Sequence, residues 1–231
     1  MPAATLSELE TLIDDLVRNP AHHVTPAQRE RAIELALVRY SADRPREVVE
    51  DVVTADGATV PLPAGWVAGE SLLRIVECPV VSPPVPLEAD AWAVWRTPTG
   101  EVIGLLQAAT PGATARLHYT APHVVDAASS TVPKAHREAV ACYAASLLAE
   151  QIATAHASAQ DSTIAADRVD QAHPAREWSA RAKAYRNRYF ATLGIDISAQ
   201  GVERPRVDAA GVVVDLNLPT SHGRGRLYRR R

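Results

Sequence analysis

Residues 25–53 read TPAQRERAIELALVRYSADRPREVVEDVV, and within this stretch one periodicity gives way to another. Thr25, then Pro26, then Gln28 is the signature of a helix start. The hydroxyl caps a free amide, proline fits the first helical position, and the glutamine amide closes a capping box. Ile33, Ala36, Leu37 and Tyr40 follow at helical spacing. Arg44 precedes Pro45, which pushes it out of the helical region and ends the helix. Beyond the proline, Val48-Val49 and Val52-Val53 alternate with acids, a strand pattern placed at 47–54.

The same reading extends in both directions. Upstream, Leu6, Leu9, Leu12, Ile13 and Leu16 predict a helix over 5–18, with Thr5 and Glu8 as a capping-box pair and Asn19-Pro20 as the stop. Downstream, β-branched and aromatic runs predict strands near 58–62, 71–78, 91–96, 101–107 and 113–120. Asp56-Gly57, Thr99-Gly100 and Pro111-Gly112 supply the turn chemistry between them. Four prolines between Pro79 and Pro86 exclude a central strand there and predict a segment wrapping a sheet edge.

Helix returns after Val132-Pro133 and runs to about Ala159, with Val140, Ala144, Leu147, Leu148, Ile152 and Ala155 on one face. Residues 160–172 are small and polar and read as a loop or a broken turn. A further helix spans Pro174 to Leu193, capped by Gly194, with Trp178, Arg181, Ala182, Tyr185, Tyr189 and Leu193 along one side. The expected architecture is α+β. About four helices from 1–45 and 132–195 form a bundle, a small antiparallel β domain at 46–131 is inserted between them, and 196–231 form an extended C-terminal arm.

Composition excludes several classes. The 231 residues are 47% hydrophobic and 22% charged, an ordinary globular balance. The net charge of -3 argues against a chain built to coat nucleic acid or an anionic membrane. That charge is uneven: residues 202–231 hold seven Arg and three acids, a local +4, which leaves -7 on 1–201. Two cysteines, Cys78 and Cys142, are too few for a disulfide scaffold or a cysteine zinc site, and Cys142 reads as a small hydrophobe in a helix. A signal peptide and a membrane-spanning run are both lacking, so synthesis in the cytoplasm and no membrane partner are expected.

The search for chemistry finds no P-loop, dinucleotide fingerprint, His-Glu-x-x-His or nucleophile elbow. His22-His23 read as loop histidines, and His118 and His123 as packing or backbone-bonded groups on opposite faces. His136-Arg137-Glu138 open a helix, where the carboxylate suits the dipole. No catalytic residue, cofactor or metal is expected.

The arm is more informative. Val212, Val214, Leu216 and Leu218 alternate with Val213, Asp215 and Asn217, a strand with no evident partner in its own neighbourhood. Such a strand satisfies its backbone most readily on the edge of another subunit. Arg224, Arg226, Leu227, Tyr228, Arg229, Arg230 and Arg231 follow as a basic end. Fully extended, residues 196–231 reach roughly 120 Å.

Several phrases in order resemble a known family. They are Gln28-Arg29-Glu30-Arg31-Ala32-Ile33, Arg39-Tyr40-Ser41-Ala42-Asp43-Arg44-Pro45, Leu62-Pro63-Ala64-Gly65-Trp66 and Tyr119-Thr120-Ala121-Pro122-His123. Val132-Pro133-Lys134-Ala135-His136-Arg137-Glu138-Ala139-Val140, Thr163-Ile164-Ala165-Ala166-Asp167 and Arg188-Tyr189-Phe190 continue the series. Together, over about residues 5–195, they resemble the head-tail connector, or adaptor, proteins of tailed phages and prophages. That resemblance implies a virion structural protein of the neck: a homo-oligomer, a twelve-subunit ring under the portal, with downstream neck or tail proteins beneath. DNA would pass through its channel without sequence-specific binding. It also implies portal docking through the C-terminal segment, here Val212 to Leu218 and Arg224 to Arg231, although no family motif falls in 196–231. The arm's arginines suit an acidic portal surface, because a planar guanidinium holds a carboxylate by two hydrogen bonds. They suit DNA equally, so a nucleic-acid-binding accessory protein is the competing reading, and a small virion hydrolase the second.

Overall fold

In the computed structural model, which describes residues 5–18, 24–54, 56–158, 174–197 and 203–205, the helix start at Thr25 forms as the sequence predicts. The Thr25 hydroxyl accepts from the Gln28 amide at 3.3 Å, and Gln28 Oε1 accepts from the Thr25 amide at 2.8 Å. Helix α2 (Pro26–Asp43) follows, burying Ala32, Ile33, Ala36 and Tyr40. Before it, α1 (Leu6–Val17) buries Leu9, Ile13 and Val17. The capping box expected at Thr5 does not form: the Thr5 side chain caps no amide, and its hydroxyl meets that of Ser7 at 3.0 Å. Glu8 is engaged elsewhere, accepting from Arg137 Nη1 at 2.6 Å across the bundle. A charge-assisted bond is stronger than a return to the N-cap amide.

Helix α3 (Arg137–Ser158), entered through a 3₁₀ turn at Lys134–His136, is the spine. It packs against α1, α2 and α4 (Pro174–Leu193). The sequence suggests one apolar face, yet Ala139, Val140, Ala141, Cys142, Ala144 and Ala145 are all buried, while Ala155 is exposed. Three neighbours enclose the first turns, and the alanines let those helices approach from several sides. On α4, Trp178, Ala182, Tyr189, Phe190 and Leu193 are buried. Arg181, expected on that face, is exposed, with its guanidinium 4.8 Å from the Trp178 ring centroid. The predicted loop at 160–172 lies outside the described residues, as do His22 and His23.

Between α2 and α3 stand six strands: β1 (Arg46–Val53), β2 (Thr59–Val60), β3 (Leu73–Glu77), β4 (Trp92–Thr97), β5 (Gly100–Leu105) and β6 (Thr114–Ala121). They form two three-stranded antiparallel sheets, ordered β1-β6-β3 and β2-β5-β4. Both contribute to a single second core around Val60, Val76, Ile103, Leu117 and Tyr119. β2 is shorter than expected because Pro61 has no amide to give a ladder. At the Asp56-Gly57 turn, Asp56 Oδ1 accepts from the amides of Ala58 and Thr59 at 3.1 and 2.8 Å, and Gly57 sits at φ +78. The proline-rich segment does cover an edge: the Leu87 amide donates to Val76 of β3 at 2.7 Å. The fold is α+β.

Candidate functional site

All the residues expected to bind a partner, Val212, Val214, Leu216, Leu218, Arg224, Arg226, Leu227, Tyr228, Arg229, Arg230 and Arg231, lie outside the described residues. The root of the arm lies within them. After α4, Gly194 turns the chain at φ +66, and β7 (Ile195–Ile197) pairs antiparallel with β8 (Glu203–Pro205), Ile195 opposite Pro205. The sequence reading treats this stretch as arm alone. The alternation of Ile195 and Ile197 about Asp196 is the signal it passes over.

This root is tied to the joint between the helices and the sheets. Arg44, just beyond α2, donates from Nη2 to the Leu193 carbonyl at 2.6 Å. Asp43 Oδ2 accepts from the Tyr189 hydroxyl at 2.5 Å and from Arg39 Nε at 2.8 Å. From the segment joining β6 to α3, the His123 amide donates to Ser41 Oγ at 2.8 Å, and its Nε2 lies 3.0 Å from the Arg44 carbonyl. Nδ1 also faces a carbonyl, that of Thr131, so the two ring nitrogens compete for the one proton of a neutral imidazole. Nδ1 lies 3.1 Å from the Thr131 hydroxyl and 3.0 Å from the Thr131 carbonyl. The chain's entry to the sheets, its exit from them and the end of α4 leading into β7 therefore meet at one place.

Tyr40 fills the centre of the joint. Its ring lies 4.8 Å from that of His123 and 5.7 Å from that of His136. Burial raises the phenol's pKa, and its hydroxyl is hydrogen-bonded to His136 Nδ1 at 2.7 Å. His136 is pushed below its ordinary value first by burial and then by the Arg44 charge. His123 is pushed down first by burial, with the carbonyls of Arg44 and Thr131 pulling the other way. These histidines hold structure, and His123 shows the backbone bonding expected of it.

His118 lies apart, on the outer face of the β1-β6-β3 sheet, with Nε2 3.2 Å from Glu77 Oε1. Beside it Arg116 grips Asp51 with two bonds, at 2.7 and 2.9 Å, and holds the Asp51 carboxyl below its ordinary range. Val49, Ile75 and Val53 are exposed on this face. A groove of about 570 Å³ runs between α2 and the segment after β6, walled by Leu37, Val38, Pro122 and Val124 with Glu34 and Glu70 in its lining. Among the described residues no group of three or more His, Cys, Asp or Glu lies close enough to share a metal ion. Burial pushes the Cys142 thiol up to about 11, in keeping with a packing role.

No family model matches the chain, and neither does any curated protein. Several chains of solved structures show a loose likeness, three neck or virion chains among them. A chain in the neck of an empty GTA particle computed with C6 symmetry is 16% identical at a TM-score of 0.28, covering 74% of this chain and 87% of that one. A chain in the neck of a native GTA particle computed with C12 symmetry is 17% identical at 0.27, covering 76% and 92%. One in the virion of a native gene transfer agent particle is 15% identical at 0.25, covering 77% and 88%. Likeness at this level fixes neither a shared fold nor a shared role.

Proposed function

We propose that this chain is a structural subunit of the neck of a tailed-phage-like particle, a connector that assembles as a ring, docks on the portal through its arm and extends the DNA channel. The observation that carries the reading is the architecture. A helical bundle is interrupted after α2 by a two-sheet β unit, and the β7–β8 pair that precedes the basic C-terminal sequence follows α4 at the joint between them. This is the arrangement that the adaptor resemblance implies, built on the phrases that spell α2, the start of α3 and the end of α4.

The reading has a physical logic. A closed ring is a set of heterologous contacts, so each subunit needs two different faces. The bundle and the β unit supply surfaces of different kind. A body carrying -7 over residues 1–201 suits a channel through which DNA slides, since phosphate neutralisation by Lys and Arg is what grips it. The basic end, Arg224 to Arg231, is the portal anchor in this reading.

The test is to mix the purified chain with the portal protein of the same genome, then measure mass by light scattering and look for rings by electron microscopy. A ring of about twelve subunits on the portal is expected. A chain that stays monomeric and does not bind portal overturns the reading.

A further inference from the structure

β1 is an edge strand along its whole length. It pairs with β6 on one side, from Arg46 opposite Ala121 to Val53 opposite Thr114. Just past its end the Thr54 amide donates to Ala113 at 2.9 Å. In an antiparallel ladder hydrogen-bonded pairs alternate, so Val52, Glu50 and Val48 also turn their backbone groups toward β6. Glu47, Val49, Asp51 and Val53 turn theirs away. Strand β6 agrees with this phase: the Thr120 amide donates to Leu72 at 2.9 Å and the Thr114 carbonyl accepts from Val80 at 3.0 Å, both on the far side from β1. Among the described residues no backbone group bonds to the outward edge of β1.

The edge carries charged side chains, Arg46, Glu47, Glu50 and Asp51, but no proline lies within it and, among the described residues, no segment covers its outward backbone groups. The opposite edge of the sheet, β3, is covered through Leu87, whereas β1 is eight residues long with Val49 and Val53 exposed at 54% and 58%. On its inner face Val48 and Val52 are only partly buried against the second core, with Glu50 between them accepting from the Tyr119 hydroxyl at 3.0 Å and the Ala64 amide at 3.2 Å. The outer strand of the other sheet, β4, is also paired on one side only, but it is shorter, at six residues.

We propose that the open edge of β1 receives residues 211–218 of a second copy of this chain. The segment from Gly211 to Leu218 matches β1 in length. Its row Val212, Val214, Leu216 and Leu218 would continue the core over Val48 and Val52. A second copy is favoured over the chain's own arm by where the arm starts. The bond from Arg44 to Leu193 sets its root at the beginning of β1. At about 3.3 Å per residue, residues 206–210 span roughly 16 Å against roughly 26 Å for β1. The chain's own segment would therefore run parallel to β1, while a neighbour's can arrive from the Val53 end and extend the antiparallel ladder, the more stable pairing. Each subunit then gives one arm and takes one, a head-to-tail contact that can close into a ring. The proposal rests on the ring reading above and leaves Arg224 to Arg231 free for the portal.

Val49→Pro removes one outward amide while leaving the ladder to β6 intact, a placement edge strands tolerate. Val214→Asp with Leu216→Asp disables the arm but not the edge. Val49→Thr keeps the amide and serves as control. If Val49→Pro does not melt cooperatively, Val49→Lys with Val53→Lys takes its place. Self-association of the full chain is measured by sedimentation, with and without portal. The parent and Val49→Thr should associate alike, and each disabled variant alone should weaken at least about tenfold, on the scale of one lost edge contact. An equimolar mixture of edge and arm variants should form a dimer, since one good arm meets one good edge. If the disabled variants associate as tightly as the parent, the edge assignment is overturned. Two weakened variants that fail to complement each other point to pairing within one chain and overturn it as well. A parent that never associates, even on portal, sinks the ring reading itself.

Discussion

The guanidinium of Arg44 reaches the carbonyl of Leu193, 149 residues away in sequence, and donates to it at 2.6 Å. Leu193 is the last residue of α4, where carbonyls lack intrahelical partners and the helix dipole favours a cation. One side chain thus caps α4, marks the start of β1 and sets the root of the arm. Arg44→Ala is expected to cost about 1 kcal/mol, the lower range for a charge-assisted bond because Arg44 is solvent-exposed. In a chain of this size that is a fall of about 2–4 °C in melting temperature. Hydrogen exchange at Ile195 and Ile197 should rise, while the amides of β5 should not change.

The joint also confers a pH dependence. His123 and His136 are both held below the ordinary imidazole value of 6.5, in each case first by burial. Between their folded values and 6.5 the unfolded chain binds more protons than the folded one, so stability rises with pH through that window. Melting temperature should be flat above about pH 7.5 and fall as pH drops through 6.5 toward 5. His123→Gln, which offers a donor to the Arg44 carbonyl, should flatten part of that fall. A profile unchanged by the substitution would show that His123 does not contribute to it.

How much of this was legible in the sequence follows from the range of each interaction. The Thr25–Gln28 box, the Gly194 cap and the six strands are written in residues a few positions apart, and local chemistry decides them. The box at Thr5 failed for the opposite reason, since Glu8 is taken by Arg137 from the far side of the bundle. The joint stayed hidden because Ser41 and His123, or Tyr189 and Asp43, are far apart in sequence and no local pattern links them. In α3 the alanines carry no directional signal, so which sides are buried depends on the number of neighbours. For residues 196–231 the sequence offers an alternating pattern at 212–218 and a basic end, while the open edge of β1 emerges only once β6 and β3 are in register.

Tyr189 is fully buried, and its hydroxyl donates to the Asp43 carboxylate beside the Arg39 guanidinium. Tyr189→Phe removes the donor yet leaves Asp43 held by Arg39 at 2.8 Å. The expected loss is about 1–2 kcal/mol, because one hydrogen bond to a charged group disappears without exposing a bare charge. Tyr189→Phe with Asp43→Asn should cost less than the sum of the two single changes, because the residues share one network. Strict additivity in urea denaturation would contradict the coupling.

Two turn glycines in the β unit should respond differently to the same change. Gly57 and Gly112 both have positive φ, +78 and +79. At Gly112 an added Cβ meets nothing within 4 Å, so Gly112→Ala bears only the backbone strain, about 1–2 kcal/mol. At Gly57 the same Cβ falls 2.0 Å from the Ala109 carbonyl oxygen, which is backbone and cannot swing aside. That turn is also closed by the Ala109 amide bonding to Gly57 at 2.8 Å. Gly57→Ala should be the more damaging of the two in thermal melts, and equal melting temperatures would show that the 105–112 loop yields freely.

Adjacent leucines of α3 provide the sharpest test of the spine. Leu148 is 1% exposed in the main core, with α1 and α2 against its helix, whereas Leu147 is only partly buried. A small cavity of about 120 Å³ already borders Leu148, lined also by Ile13, Val17 and Val24. Truncation there would enlarge an existing void, so Leu148→Ala should fall within the 2–5 kcal/mol typical of buried leucines. Leu147→Ala should cost about 1 kcal/mol, since less apolar surface returns to water. Leu148→Asp adds an unpaired buried charge, and with about 5–15 kcal/mol of total stability the chain should not fold. Urea denaturation of the two alanine variants and solubility of the aspartate variant measure all three. A soluble, cooperatively melting Leu148→Asp protein would mean that α3 is not the interior of the bundle.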